Sequence, residues 1–143
     1  ALKVADYNKK YNNADYIKLI KSDMFSSSEC EQYKNEDNRF DVIVSNPPYI
    51  PTKDIDELSE EVRLHDPVLA LDGDTDGLKF YKAITKQSVN YLKENGYLCY
   101  EIGYNQAEDV RNIMEQCGYS GIKVIKDLAG LDRVVIGRLN NIN

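Results

Sequence analysis

Glycine is missing from the front of this sequence: none of its eight glycines precedes Gly73. No glycine-rich turn able to cradle a nucleotide can therefore lie before that point. Histidine occurs once, as His65, in a loop-like stretch, which argues against the commonest catalytic base. The three cysteines, Cys30, Cys99 and Cys117, are scattered and odd in number. They fit reduced thiols and argue against a disulfide framework or a zinc site, so no metal is expected. No apolar run approaches the length that spans a bilayer, and no signal-peptide pattern opens the chain. The expectation is a cytoplasmic protein with no membrane partner. Basic residues are outnumbered, 18 against 24 acidic, for a net charge of −6. Broad binding to a phosphate backbone is disfavoured by that balance.

What remains is ordinary globular material: 143 residues, 42% hydrophobic and 29% charged, one domain's worth of chain with a real core. Residues 1 to about 11 read as a short amphipathic helix. Tyr16 to Lys21 alternates as a half-buried strand, closed by Ser22-Asp23-Met24-Phe25. Ser26 to Arg39 is a polar surface connection. Phe40 to Ser45 is a strand whose Val-Ile-Val centre predicts burial on both faces, as inside a parallel sheet. A long acidic segment follows, with a short helix around Leu58 to Leu64. A helix from Leu78 to Lys93 presents Leu78, Tyr81, Ile84, Ser88 and Tyr91 on one face, and Asn95-Gly96 stops it. Tyr97 to Ile102 is the next strand. Asn105, with Glu108 three residues on, caps a helix whose stripe is Ala107, Val110, Ile113, Met114 and Cys117. Strands at Ile122 to Ile125 and Arg133 to Leu139, joined by a short link, should pair antiparallel. Strands alternating with helices mean an α/β fold, a largely parallel sheet with helices on both faces.

The strand at Phe40 to Ser45 runs into Asn46-Pro47-Pro48-Tyr49. Two prolines fix two φ angles, remove two N–H donors and push Asn46 out of the helical region. The product is a stiff corner at the carboxyl end of a strand, where ligands bind in open α/β sheets. The Asn46 side-chain oxygen and the Pro47 carbonyl are two acceptors suited to the two hydrogens of a planar NH₂ group. Such a nitrogen is a poor nucleophile because its lone pair is delocalised. Holding both hydrogens by acceptors favours charge developing on nitrogen and aims it at an electrophile. The Tyr49 ring can stack on the substrate plane and tolerate a nearby cation. A methyl on a sulfonium is such an electrophile.

Asn46-Pro47-Pro48-Tyr49 after an apolar strand resembles the signature of class I, S-adenosylmethionine-dependent N-methyltransferases. The surroundings resemble the HemK-type family of peptide chain release factor glutamine methyltransferases. They include Ile50-Pro51, Asp66 to Leu71, Gly73, Asp76-Gly77-Leu78 and Tyr81. Further blocks are Glu101-Ile102-Gly103 with Gln106, Asp127 to Gly130, Asp132 to Val135 and Gly137-Arg138. The match runs from about Ser22 to Arg138. It implies methyl transfer from S-adenosylmethionine to the side-chain amide of the glutamine in the Gly-Gly-Gln loop of release factors, and so a role in translation termination. Asn46, Pro47 and Tyr49 would be catalytic, and Asn46 to Tyr49, Pro48 included, would hold the substrate. Asp23, Met24 and Asn46 would face the cofactor, although the family often has an aromatic residue where Met24 stands and glutamate where Asp66 stands.

The family's amino-terminal helical domain, glycine-rich loop and ribose-holding acid have no counterpart in residues 1–143. These residues are therefore expected to be the carboxyl-terminal part of one Rossmann-like methyltransferase domain, lacking its first two strands. By itself such a piece should be inactive and bind the cofactor weakly or not at all, and its exposed strand edges favour self-association. Three alternatives stand beside this reading: a purely structural strand-ending turn, an N-methyltransferase of DNA adenine or RNA guanine, and a non-catalytic remnant of the fold. The acidic stretch Asp54 to Asp76 speaks against a nucleic-acid substrate. Met24 as plain core and Glu101 as a surface or cap residue are the bland readings of those positions.

Overall fold

The structure, a computed structural model, describes residues 1–140, the side chains at 63 and 64 excepted. Four strands form one mixed sheet in the order β1-β2-β4-β3, where β1 is Phe40–Ser45, β2 Leu92–Glu101, β3 Tyr119–Lys126 and β4 Asp132–Leu139. β1 and β2 are parallel, with Val44 opposite Cys99 and Ser45 opposite Tyr100. β4 is antiparallel to both β2 and β3, as the short link between the last two strands requires. The α-helices are α1 (Leu2–Tyr11), α2 (Glu60–His65), α3 (Lys79–Ser88) and α4 (Ala107–Gln116), and short 3₁₀ helices lie in the connections. No helix among the described residues is long and apolar enough to cross a membrane.

The core lies where α3 and α4 cover one face of the sheet. Tyr81 and Ile84 of α3 and Val110 and Met114 of α4 meet Leu98 and Tyr100 of β2 and Val135 and Leu139 of the last strand. The α4 stripe is the expected one, with Val110 and Met114 fully buried and Ala107, Ile113 and Cys117 packed against them. Gly118 ends that helix in the left-handed region, φ +89°.

Two pairs of hydroxyls are sealed inside: Thr85 with Tyr100 at 2.8 Å, and Ser88 with Tyr119 at 2.7 Å. Burial pushes the Tyr119 phenol up to about 12. Replacing Ser88 by Ala should lower stability by about 1–3 kcal/mol, because the buried Tyr119 hydroxyl loses its partner. Adding Tyr119→Phe should recover part of that loss, and urea unfolding of the three variants measures both steps.

Several expectations are corrected. Tyr16 to Lys21 is not a strand, and Tyr16 is 88% exposed. A strand obtains its hydrogen bonds from a neighbour, and among the described residues none lies alongside this segment. β1 is an edge strand, not a centrally buried one: Val42 and Val44 are exposed although Ile43 packs on the core. The face carrying Val42, Val44 and Tyr97 is open between its side chains. Helix α3 stops at Ser88 rather than Lys93, since the Phe40 amide already takes the Tyr91 carbonyl and Leu92 pairs with Phe40. Asn95 keeps its left-handed backbone, φ +63°, but spends it on the irregular start of β2. The predicted helix near Leu58 to Leu64 sits slightly later, as α2. The N-cap of α4 is Gln106 and not Asn105.

The Asn-Pro-Pro-Tyr corner and its candidate active site

β1 ends at Ser45, and the chain leaves the sheet through Asn46 to Tyr49 in extended form. Asn46 is exposed, Pro47 is buried and Tyr49 is half-buried against the core. The two prolines hold this shape without main-chain donors of their own. Anchoring begins at Tyr49. Its carbonyl accepts a hydrogen bond from the Gln106 side-chain amide at 2.9 Å, and its hydroxyl points to Glu101 at 3.5 Å. Burial, then the Glu101 carboxylate, raises the Tyr49 phenol pKa, while Arg133 opposes them. Glu101 therefore faces the corner, and the surface or cap reading of it falls away.

The next residues are clamped by the loop before α3. The Ile50 amide donates to Leu71, and the Gly73 amide donates to the Ile50 carbonyl at 2.8 Å. Thr52 binds the same loop through its amide to the Asp74 carbonyl and through its hydroxyl to Asp72 at 2.8 Å. Asp76 caps the loop's exit by accepting the Leu78 amide. The acids of this loop are structural: they order it and so hold the corner.

Asp74 offers a test of that statement. Lys79 at 3.0 Å and the Thr75 amide and hydroxyl hold its carboxyl at about 2, below the ordinary aspartate value of about 3.9. A depressed pKa contributes stability above the unfolded value, and that contribution is lost as pH falls from about 4 through 2. Melting temperature followed over that range should drop less in Asp74→Asn than in the natural sequence.

Close approach explains two glycines. A Cβ on Gly73 would lie 2.9 Å from the Tyr49 Cα, and one on Gly77 would collide with the Tyr49 carbonyl oxygen. Gly77 also has φ +72°, a backbone that only glycine adopts freely.

Beside the corner lies an open cleft of about 530 Å³, lined among others by Tyr49, Asp54, Glu57, Asp76, Asp109 and Arg133. Four carboxylates against one guanidinium make it an acidic mouth. Arg133 is held by Asp127 at 3.2 Å and by the Ile102 carbonyl, so its charge is committed to the base of the cleft.

Asp23 and Met24 lie in the turn before the polar connection. Met24 has a left-handed backbone, φ +50°, and packs with Phe25 against the core, where the Phe25 ring stacks on Tyr91 at 4.4 Å. Asp23 is exposed. It also lies close enough to Lys79 to add, after Asp74 and Asp72, to the raised pKa of that lysine. The turn and the loop that clamps the corner thus share one electrostatic neighbourhood.

Sequence reasoning missed the part played by Gln106, Tyr81, Gly77 and Arg133 in holding the corner. Each stood in a quoted block, but no local pattern says which distant residue a side chain will touch. A glutamine directly before an apolar helical stripe is the available signal, but the capping-box pattern of Asn105 with Glu108 points to the neighbouring residue instead.

A family model described as Eco57I restriction-modification methylase matches residues 2–113. A release factor glutamine methyltransferase of Fusobacterium nucleatum is 41% identical over 138 residues, covering 96% of this chain and 37% of that protein. One from Clostridium botulinum is 43% identical over 129 residues, covering 90% of this chain and 44% of its own length. The chain thus spans less than half the length of these curated relatives. Among solved structures, a methyltransferase from Pyrococcus furiosus superposes with a TM-score of 0.58 at 17% identity, over 97% of this chain and 57% of that one. At that identity the likeness speaks for the fold alone. The two relatives from Fusobacterium and Clostridium share the name release factor glutamine methyltransferase, and nearly four-fifths of the residues fall inside the methylase family model, so the chain belongs to that methylase family.

Proposed function

We propose that the complete protein transfers a methyl group from S-adenosylmethionine to the side-chain amide nitrogen of a glutamine in peptide chain release factors, the one in the Gly-Gly-Gln loop. The observation that carries this reading is the rigid corner, with an exposed asparagine amide and a proline carbonyl beside it at a strand end. Around that corner the chain is similar to enzymes named for this activity.

Asn46 and Pro47 each accept one hydrogen of the glutamine NH₂ group, and Pro48 keeps the two acceptors in register. As nitrogen gains positive charge its hydrogens become stronger donors, so both acceptors bind the transition state more tightly than the ground state. Tyr49 supplies a ring face beside the amide plane, held in place through its carbonyl and its hydroxyl. The nitrogen would form its new C–N bond as the S–CH₃ bond of the sulfonium breaks and a neutral thioether leaves, after which one of its hydrogens would pass to water as a proton. No general base has to act before bond formation.

The donor S-adenosylmethionine supplies, when bound, an electrophilic methyl group. The residues present fit its adenine end: Asp23 is an exposed carboxylate able to accept from an amino group, and Met24 is a polarizable thioether seated against the core. Asn46 completes the cofactor side. Release factors are the proposed protein partners, and a cytoplasmic setting follows from that substrate.

The acidic cleft beside Tyr49 works against a polyanionic substrate, which disfavours DNA or RNA despite the description of the family model. The deciding experiment offers the complete native protein labelled cofactor with a release factor in one reaction and DNA in another. Methyl transfer to the release factor is expected. Transfer to DNA with none to the release factor would overturn the reading.

A further inference from the structure

Gln106 is 6% exposed, and both ends of its side-chain amide are hydrogen-bonded. Its nitrogen donates to the Tyr49 carbonyl at 2.9 Å and to the Gly77 carbonyl at 3.4 Å. Its oxygen accepts from the Gly103 amide at 3.0 Å, and the Tyr81 hydroxyl oxygen lies 3.4 Å from it. Tyr81 in turn donates to the Glu101 carbonyl at 3.0 Å. One amide thus joins the corner, the loop before α3, the end of β2 and α3 itself. The space is shaped to it, since a Cβ on Gly103 would lie 2.8 Å from its oxygen and one on Gly77 would lie 2.7 Å from its nitrogen.

We propose that Gln106 is the positioning residue of the catalytic corner, fixing the Tyr49 main chain and through it the direction of the Pro47 and Asn46 acceptors. This inference rests on the functional reading above. Its physical basis is that Pro47 and Pro48 have no N–H, so the middle of the corner has no main-chain donor to pin it. The Pro47 carbonyl has to stay available to substrate. The Tyr49 carbonyl, two residues on, is the tie that leaves it so, and a buried side-chain donor is what it meets. A small swing there moves both acceptors, and a misplacement near 1 Å costs about a hundredfold in rate.

The test is Gln106→Glu in the complete native protein. It keeps size and the acceptor toward Gly103 but turns the donating nitrogen into an oxygen facing two carbonyls. Amide hydrogen exchange should accelerate at Ile50 and Gly73 by about tenfold or more, with Leu98 and Val135 unchanged. The kcat for methyl transfer should fall about a hundredfold while KM moves less than about threefold. As pH falls and the introduced carboxyl takes a proton, it regains a donor, and kcat relative to the natural protein should recover. Should this variant not fold, Gln106→Met removes the bonds without a charge and is read the same way. Unchanged exchange at Ile50 and Gly73 with unchanged kcat would overturn the proposal. So would a uniform loss of protection through the core with normal kcat below the melting temperature, which marks a merely structural residue. If the natural protein methylates no release factor, the functional reading fails, and the exchange pattern still decides whether Gln106 holds the corner.

Discussion

Asn46→Ala should lower methyl transfer to a release factor by about 10²–10³-fold, the effect of removing one group that stabilises developing charge. The fall should appear mainly in kcat, because the lost hydrogen bond strengthens as the nitrogen becomes positive. Folding should hardly notice: Asn46 is exposed, and a surface substitution of this kind changes stability by about 0.5 kcal/mol or less. Asn46→Asp keeps an acceptor and adds charge, so its activity should fall between the two. Labelled-methyl transfer and a melting curve on the same preparations separate the two effects. Full activity in Asn46→Ala, with its folding intact, would remove the corner from the mechanism.

The second large effect belongs to Gly77→Ala. The left-handed backbone at φ +72° strains any residue with a Cβ, and here that Cβ also runs into the Tyr49 carbonyl oxygen. The two costs together come to about 2–5 kcal/mol. Gly118→Ala is the control, with φ +89° and no atom within 4 Å of the added methyl, so it should cost only the backbone part, about 1–2 kcal/mol. Urea unfolding gives both numbers. Equal losses would mean that the close approach at Gly77 relaxes freely and that the Tyr49 carbonyl is not rigidly held. A Gly77→Ala protein that still folds should also be slow, since the corner must move to make room.

These effects have a common origin in the way a motif with no main-chain donor at its two prolines is held. Pro47 and Pro48 make the corner stiff, but stiffness does not fix its direction relative to the sheet. Direction comes from Gln106 on one side and from the Ile50 to Gly73 and Thr52 to Asp74 bonds on the other. Asp74, Asp76 and Thr52 serve the same end from the solvent side, which gives the acidic loop a structural reason as well as an electrostatic one.

Much of this was legible along the chain. β1 has the expected bounds, the α4 stripe is buried as its 3.6-residue period requires, and the last two strands pair antiparallel because their link is too short for a crossover. Where reading failed, long-range pairing prevailed over local pattern. Tyr16 to Lys21 alternates correctly but has no neighbour to hydrogen-bond with, and Val42 and Val44 look central yet lie at an edge. The α3 pattern continues to Lys93, but pairing of Leu92 with Phe40 captures the backbone first.

The residues of the corner, their order and the chemistry of two acceptors beside a ring are properties of the sequence alone, because proline stiffness and amide geometry are local. Which side chains would hold that corner is not local. Gln106 stands 57 residues from Tyr49, and only the tertiary fold, with the Gly103 amide holding the other end of the Gln106 side chain, brings its amide to the Tyr49 carbonyl. The sequence determined what the site can do, and the tertiary structure decided where its acceptors point, because direction depends on contacts between elements that no local pattern contains.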